Sequence, residues 1–113
     1  PVMANIGSTL TFSVTFTNSL GAAADPGLAT FWLREEIDGT ELQWSLVPPA
    51  GAAVTPSGMN PIVRDSAGVF HLSFVARKHE RHTGFWISTG TIFQSSQDTI
   101  FVRHSAIGAI DSP

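Results

Sequence analysis

The chain contains no cysteine. That excludes disulfide staples and thiol nucleophiles, and because small secreted β-domains lean on disulfides, it points to synthesis and assembly in a reducing cytoplasm. Charge is also scarce. Only 13% of residues are Asp, Glu, Lys or Arg, against about 25% in ordinary soluble domains. A surface of ordinary charge density cannot be made from this composition, so the exterior must be rich in Thr, Ser, Gly, Ala and apolar groups. Such a surface points to a partner that covers part of it. The formal net charge of -3 offers no general attraction to nucleic acid. No apolar run is long enough to span a bilayer, and no basic stretch precedes an apolar one as in a secretory leader. Pro1 suits removal of an initiator methionine, so a native start is expected. There is no Walker loop, no Gly-x-Gly-x-x-Gly and no Gly-x-Ser-x-Gly elbow. The residues alone specify no chemistry.

What is present is β-pattern. At 113 residues the chain is one domain, large enough to bury a core without staples. Its clearest feature is the alternation over residues 9–17, with Leu10, Phe12, Val14 and Phe16 separated by Thr and Ser. Successive strand side chains point to opposite faces, so this run predicts a strand with one buried and one wet face. A second strand is predicted over 28–37, with Ala29, Phe31 and Leu33 inward and Thr30, Trp32 and Arg34 outward. Asp38-Gly39 is a hairpin signal, followed by a strand over 40–46 that places Leu42, Trp44 and Leu46 on one face. Residues 47–61 hold four of the seven prolines, so no central strand crosses them. Further strands are expected over 69–75, 85–89 and 99–103, with a polar loop over 76–84. Residues 1–8 read as an arm or a short edge strand, residues 9–104 as the folded domain, and residues 105–113 as a tail. Six or seven short strands with regular turn signals and no helix predict an antiparallel β-sandwich.

The order of these features resembles a family. The opening NIGSTLTFSVTFTNSLG is similar to the first strand and turn of small immunoglobulin-like structural proteins of tailed bacteriophages. The Asp25-Pro26 step before the second strand, VRDSAGVFHLSF (63–74), TGFWISTG (83–90) and QSSQDTIFVR (94–103) resemble later strands of that family. The resemblance spans roughly residues 6–103 and rests on strand and turn motifs. It implies an all-β, immunoglobulin-like antiparallel β-sandwich of about seven short strands. It also implies a non-enzymatic virion component without cofactors, in many copies on the particle, made in the host cytoplasm. Capsid decoration and the head–tail neck are the expected places, and capsid, portal, neck or tail proteins the expected partners.

Several side-chain groups bear on binding. Arg77, Lys78, His79, Arg81 and His82 gather half of the six Lys and Arg residues in one predicted loop. They read as a solvated basic loop or as a patch that docks on an acidic partner. The His79-x-x-His82 spacing begins a metal site only with further ligands, and Glu80, His71 and His104 have no telling spacing. Glu35, Glu36, Asp38 and Glu41 surround the hairpin turn, where water would solvate them and where they would discourage stray strand pairing. Trp44 and Trp86 are expected in the core. Trp32 shares a face with Thr30 and Arg34 and is the expected exposed aromatic, an interface anchor. Pro48 and Pro49 lead a loop that could clasp a neighbour. The alternative function is a carbohydrate- or cell-surface-binding sandwich that uses Trp32 as a stacking platform.

Overall fold

Alternation decides the fold from the first strand pair. In a computed structural model, which describes residues 2–103, β2 (Thr9–Thr15) runs antiparallel to β7 (Val69–Val75) in unbroken register. Leu10 lies opposite Phe74, Phe12 opposite Leu72 and Val14 opposite Phe70. All six are buried, while Thr9, Thr11, Ser13 and Thr15 stay exposed. β6 (Val63–Ser66) adds to the far side of β7 with a register shift between Arg64 and Ser66. These three strands form the smaller sheet, in the order β2-β7-β6.

The larger sheet has six strands in the order β1-β9-β8-β3-β4-β5. β3 (Leu28–Glu35) and β4 (Thr40–Leu46) form the expected hairpin, but its loop is four residues long rather than Asp38-Gly39 alone. Glu35 pairs with Thr40. Gly39 takes φ 74°, which glycine adopts without strain, and Asp38 Oδ1 accepts the Thr40 amide at 3.0 Å. β8 (Glu80–Thr89) pairs with β3 on one side and β9 (Ser95–Arg103) on the other. Both begin earlier than their polar ends suggest, and the expected loop over 76–84 is strand from Glu80 onward. β1 (Val2–Asn5) lies parallel to β9 at one edge, so the N-terminal residues form the short edge strand. At the other edge, the two residues of β5 (Ala53–Val54) pair with β4. The expected tail lies outside the described residues.

The two sheets pack face to face around an aromatic core. Phe12 from the smaller sheet meets Phe31 from the larger one at 5.3 Å between ring centroids. Phe31 in turn packs on Trp86 at 4.7 Å and on Trp44 at 5.5 Å. Both tryptophans are buried as expected. The proline-rich connection is tied to this core. Trp44 Nε1 donates to the Asn60 carbonyl at 2.9 Å, Asn60 Nδ2 donates to the Ser73 carbonyl at 2.9 Å, and Ile62 is buried.

A second clamp joins loop to sheet. Arg64 holds Asp25 through Nε and Nη2 at 2.9–3.2 Å, and Asp25 Oδ1 also accepts the Gly68 amide at 2.8 Å. The Arg64 guanidinium keeps the Asp25 carboxyl below the usual carboxylate range, against partial burial and with help from the Gly68 amide. The Asp25-Pro26 step is thus an anchor for the turn before β7.

The core leaves no room for a side chain at Gly84. A methyl group there would meet Phe12 Cδ1 and Phe31 Cζ, each at 2.7 Å. Gly84→Ala is therefore expected to overpack the core and destabilise the fold by about 1–3 kcal/mol. Urea unfolding checks this: the midpoint should fall with an unchanged slope. A variant as stable as the wild type would mean that the two rings move aside freely.

Candidate functional site

The outward face of the larger sheet follows from the inward one. Because Phe31, Leu33 and Trp86 point into the core, strand alternation turns Trp32, Phe85 and Ile87 outward. The register sets Gln43, Trp32, Phe85 and Gln97 in one row across four strands, and Ser45, Thr30, Ile87 and Ser95 in the next. The result is an apolar centre flanked in these rows by uncharged polar residues, with the Arg34–Glu41 pair bordering it. Trp32 is 36% exposed and, with Phe85 and Ile87, lines a shallow groove of about 290 Å³. One end of the groove is closed by Arg34, whose Nη1 lies 3.7 Å from Glu41 Oε2 and whose Nε lies 3.4 Å from Glu36 Oε1. Trp32 was the expected anchor. Phe85 and Ile87 were not singled out in the sequence, although each adjoins the inward Trp86 and therefore faces outward.

The Arg77 to His82 segment is not one basic patch. Strand alternation from Glu80 onward turns Arg81 to the exposed face and His82 into the core, where it is fully buried. His82 is therefore unavailable to a partner. Lys78 is engaged by the chain's own carboxylates, with Nζ 2.8 Å from Asp38 Oδ2 and 3.0 Å from Glu35 Oε1. Arg77 is exposed and His79 half-buried. Glu35 departs from the expectation of a solvated acidic cluster. It is the last inward position of β3 and is buried, with Oε2 3.6 Å from His82 Nε2. His82 Nδ1 lies 3.2 Å from the Glu80 carbonyl. Glu36, Asp38 and Glu41 remain exposed. Among the described residues no group of three or more His, Asp or Glu is arranged to hold a metal ion.

Pro48 is half-buried and Pro49 exposed, joined by a cis peptide bond. They sit in the turn between β4 and β5, closed by the Val47 amide on the Ala52 carbonyl at 2.9 Å. They lie at the β5 edge, two strands from β3, which carries Trp32. The structure gathers Trp32 with Phe85 and Ile87, and it gathers Lys78 with Glu35 and Asp38. It does not bring the two groups into one site.

Two sheets in this order, packed face to face with no helix among the described residues, make the chain an immunoglobulin-like β-sandwich. Among solved structures, the chain is similar to the extracellular portion of mouse CD200RLa, with a TM-score of 0.54 at 11% sequence identity. The match covers 89% of this chain and 52% of that one, so this chain spans about half its length. At that identity the likeness bears on the fold alone. No family profile matches the chain, and no curated protein matches it.

The Lys78 cluster has a definite pH signature. The Lys78 ammonium, with the Thr40 amide, holds the Asp38 carboxyl well below its ordinary 3.8, and Asp38 and Glu35 raise the Lys78 ammonium above its ordinary 10.5. A depressed carboxyl stabilises the fold above its unfolded pKa, and that stability is lost as pH falls through the folded value. A raised ammonium stabilises below its unfolded pKa, and that stability is lost as pH rises through the folded value. Lys78→Met should thus lower Tm between these limits, with the gap to wild type closing in acid and in strong base. The gap is modest, since Lys78 and Asp38 both reach water. Carboxyl NMR titration should show Asp38 rising toward its ordinary value in the variant; an unmoved Asp38 would refute the pairing.

Proposed function

We propose that this chain is a non-enzymatic structural module of a tailed-phage particle. In this reading it is an immunoglobulin-like accessory protein of the capsid shell or the head–tail neck, acting through protein–protein contacts in many copies. The observation that carries the interaction half of the proposal is the outer sheet face, where Trp32, Phe85 and Ile87 form an apolar centre within a rim of Gln, Thr and Ser. Interfaces have this anatomy: aromatic anchors at the centre, charge depleted, polar groups around them. The virion half rests on the resemblance of the strand and turn motifs over residues 6–103. The scarcity of charge supports both, because a surface that neighbours cover does not need charge for solubility.

A second reading keeps the same anchor and changes the partner. The Trp32 ring borders a shallow groove that also holds Arg34 and Glu41. An aromatic face beside paired charges can stack on a sugar ring and hydrogen-bond its hydroxyls, which favours a carbohydrate- or cell-surface-binding module.

Light scattering separates the two. The purified chain is measured alone and then mixed with the capsid and neck proteins of its particle. The expected outcome is a defined assembly in one of these mixtures or alone, weakened at least about tenfold by Trp32→Ser, as for an interface hot spot. A strict monomer that ignores every virion protein would sink the structural reading. Glycan binding abolished by Trp32→Ser would then support the second.

A further inference from the structure

Four strands end the two sheets, and three of them are protected against further pairing. β5 is two residues long and follows a pair of prolines. β6 carries Arg64 and Asp65 and is broken by a register shift. β1 is four residues long. Short length, charge, proline and bulges are the devices by which natural sheets blunt their edges. β2 has none of them. It is seven residues long, uncharged, free of proline and in unbroken register with β7, and in its sheet it has a neighbour on one side only.

The hydrogen-bond parity shows what the open side offers. The Phe16 amide donates to the Gly68 carbonyl at 2.8 Å, and the Ser8 carbonyl accepts the Ala76 amide at 2.9 Å. Even-numbered residues of β2 therefore turn their N–H and C=O toward β7, and Thr9, Thr11, Ser13 and Thr15 turn theirs to the open side. The next amide in that series, Thr17, is capped by Gln94 Oε1 at 2.7 Å. Among the described residues nothing caps the other four. Beside Thr9 and Thr11 lies a groove of about 430 Å³, lined on its other side by Ala4, Asn5, Asp98, Ile100 and Arg103.

We infer that the open edge of β2 receives an extended segment of a partner polypeptide, which adds to the smaller sheet as a fourth strand. The geometry favours a single strand over a globular face. The edge is a strip about 23 Å long and one strand wide, far short of the roughly 800 Å² per partner that a globular interface takes. β1 and β9 border it across the groove at the Thr9–Thr11 end. The chemistry of the segment follows from the edge and its groove: small or hydroxyl residues on the wet face, alternating with apolar or polar ones that face a groove holding Leu10 and Ile100 together with Asp98 and Arg103. The inference rests on the reading of this chain as an interaction module, and names a contact separate from the Trp32 face.

The probe is a synthetic peptide copying residues 8–16, with a lysine tail for solubility. β2 reads almost the same in both directions around Phe12. An antiparallel register centred there therefore sets Thr9 opposite Thr15 and Thr11 opposite Ser13, with the outward groups of both strands in phase. Amide hydrogen exchange is followed by NMR on the full chain. Alone, Thr9, Thr11, Ser13 and Thr15 should exchange fast while Leu10, Phe12 and Val14 exchange slowly. With peptide, the four edge amides should slow by about tenfold or more. A peptide N-methylated at alternate residues, which cannot donate to the edge, should leave them fast. Ser13→Pro removes a donor that the fold does not use and should abolish protection. Edge amides unchanged at saturating peptide would overturn the proposal. So would edge amides already slow in the chain alone, because the edge would then be covered. Trp32→Ser should leave edge protection intact, so failure at the sheet face and failure at the edge remain distinguishable.

Discussion

The structure depends on the contact of Phe12 with Gly84 and Phe31. Antibody domains join their sheets by a disulfide packed on a buried tryptophan. This chain has no cysteine and joins them by a ring lying on a glycine. At Gly84 no side chain stands in the core, and Phe12 lies against the glycine and packs on Phe31. Phe74 stacks on the other side of Phe12 at 6.1 Å, and Trp86 and Trp44 complete the cluster through Phe31. Aromatic pairs of this geometry add about 0.5–1.5 kcal/mol each beyond the area they bury. A chain of several can take the place of a covalent link in a domain of this size.

The outer apolar face is a consequence of the same packing. β3 and β8 are locked in register where Phe31 meets Trp86 and Leu33 meets Gly84. A slip of one residue would expose the core aromatics and bury Trp32 and Phe85 instead. The register that closes the core therefore also aligns Trp32 with Phe85 on the outside. Outer-face apolar groups on central strands rest on the most rigid part of the sandwich, as a recognition surface requires.

What was legible in the sequence was the part governed by clean alternation. β2 carries one apolar and one polar face, and β3 and β7 alternate strongly enough, despite Trp32, Val69 and Val75 on their outer faces, that their apolar inward residues follow directly. The exposed Trp32 and buried Trp44 and Trp86 follow from the same rule. What was not legible lay where polar residues occupy inward positions. Glu80 to Gly84 read as a loop because nothing in ERHTG resembles a core strand. Yet His82 and Gly84 are its inward residues, one beside Glu35 and one beneath Phe12. Glu35 was taken for a solvated turn residue because no local pattern reveals that Lys78, forty-three positions on, will meet its carboxylate. The first half of β9 was missed for a different reason. Ser95 to Asp98 pair at a wet end of the sheet, where backbone hydrogen bonds make a strand without apolar residues.

The scarce charge is distributed unevenly, and its distribution links the fold to its surfaces. Arg34 is paired with Glu36 and Glu41, Arg64 with Asp25, and Lys78 with Glu35 and Asp38. These pairs sit at hairpin turns and at the junction of loop and sheet, where they fix the ends of strands. These charges are engaged in holding the scaffold, while Arg77, Glu80, Arg81 and Asp98 stay exposed. The centre of the outer sheet face and the edge of β2 are left neutral together. A free monomer with a neutral aromatic face and an unguarded seven-residue edge would be prone to self-association. Neutral apolar surface and open strand edges are what partners cover, so both surfaces are where the proposed contacts would fall.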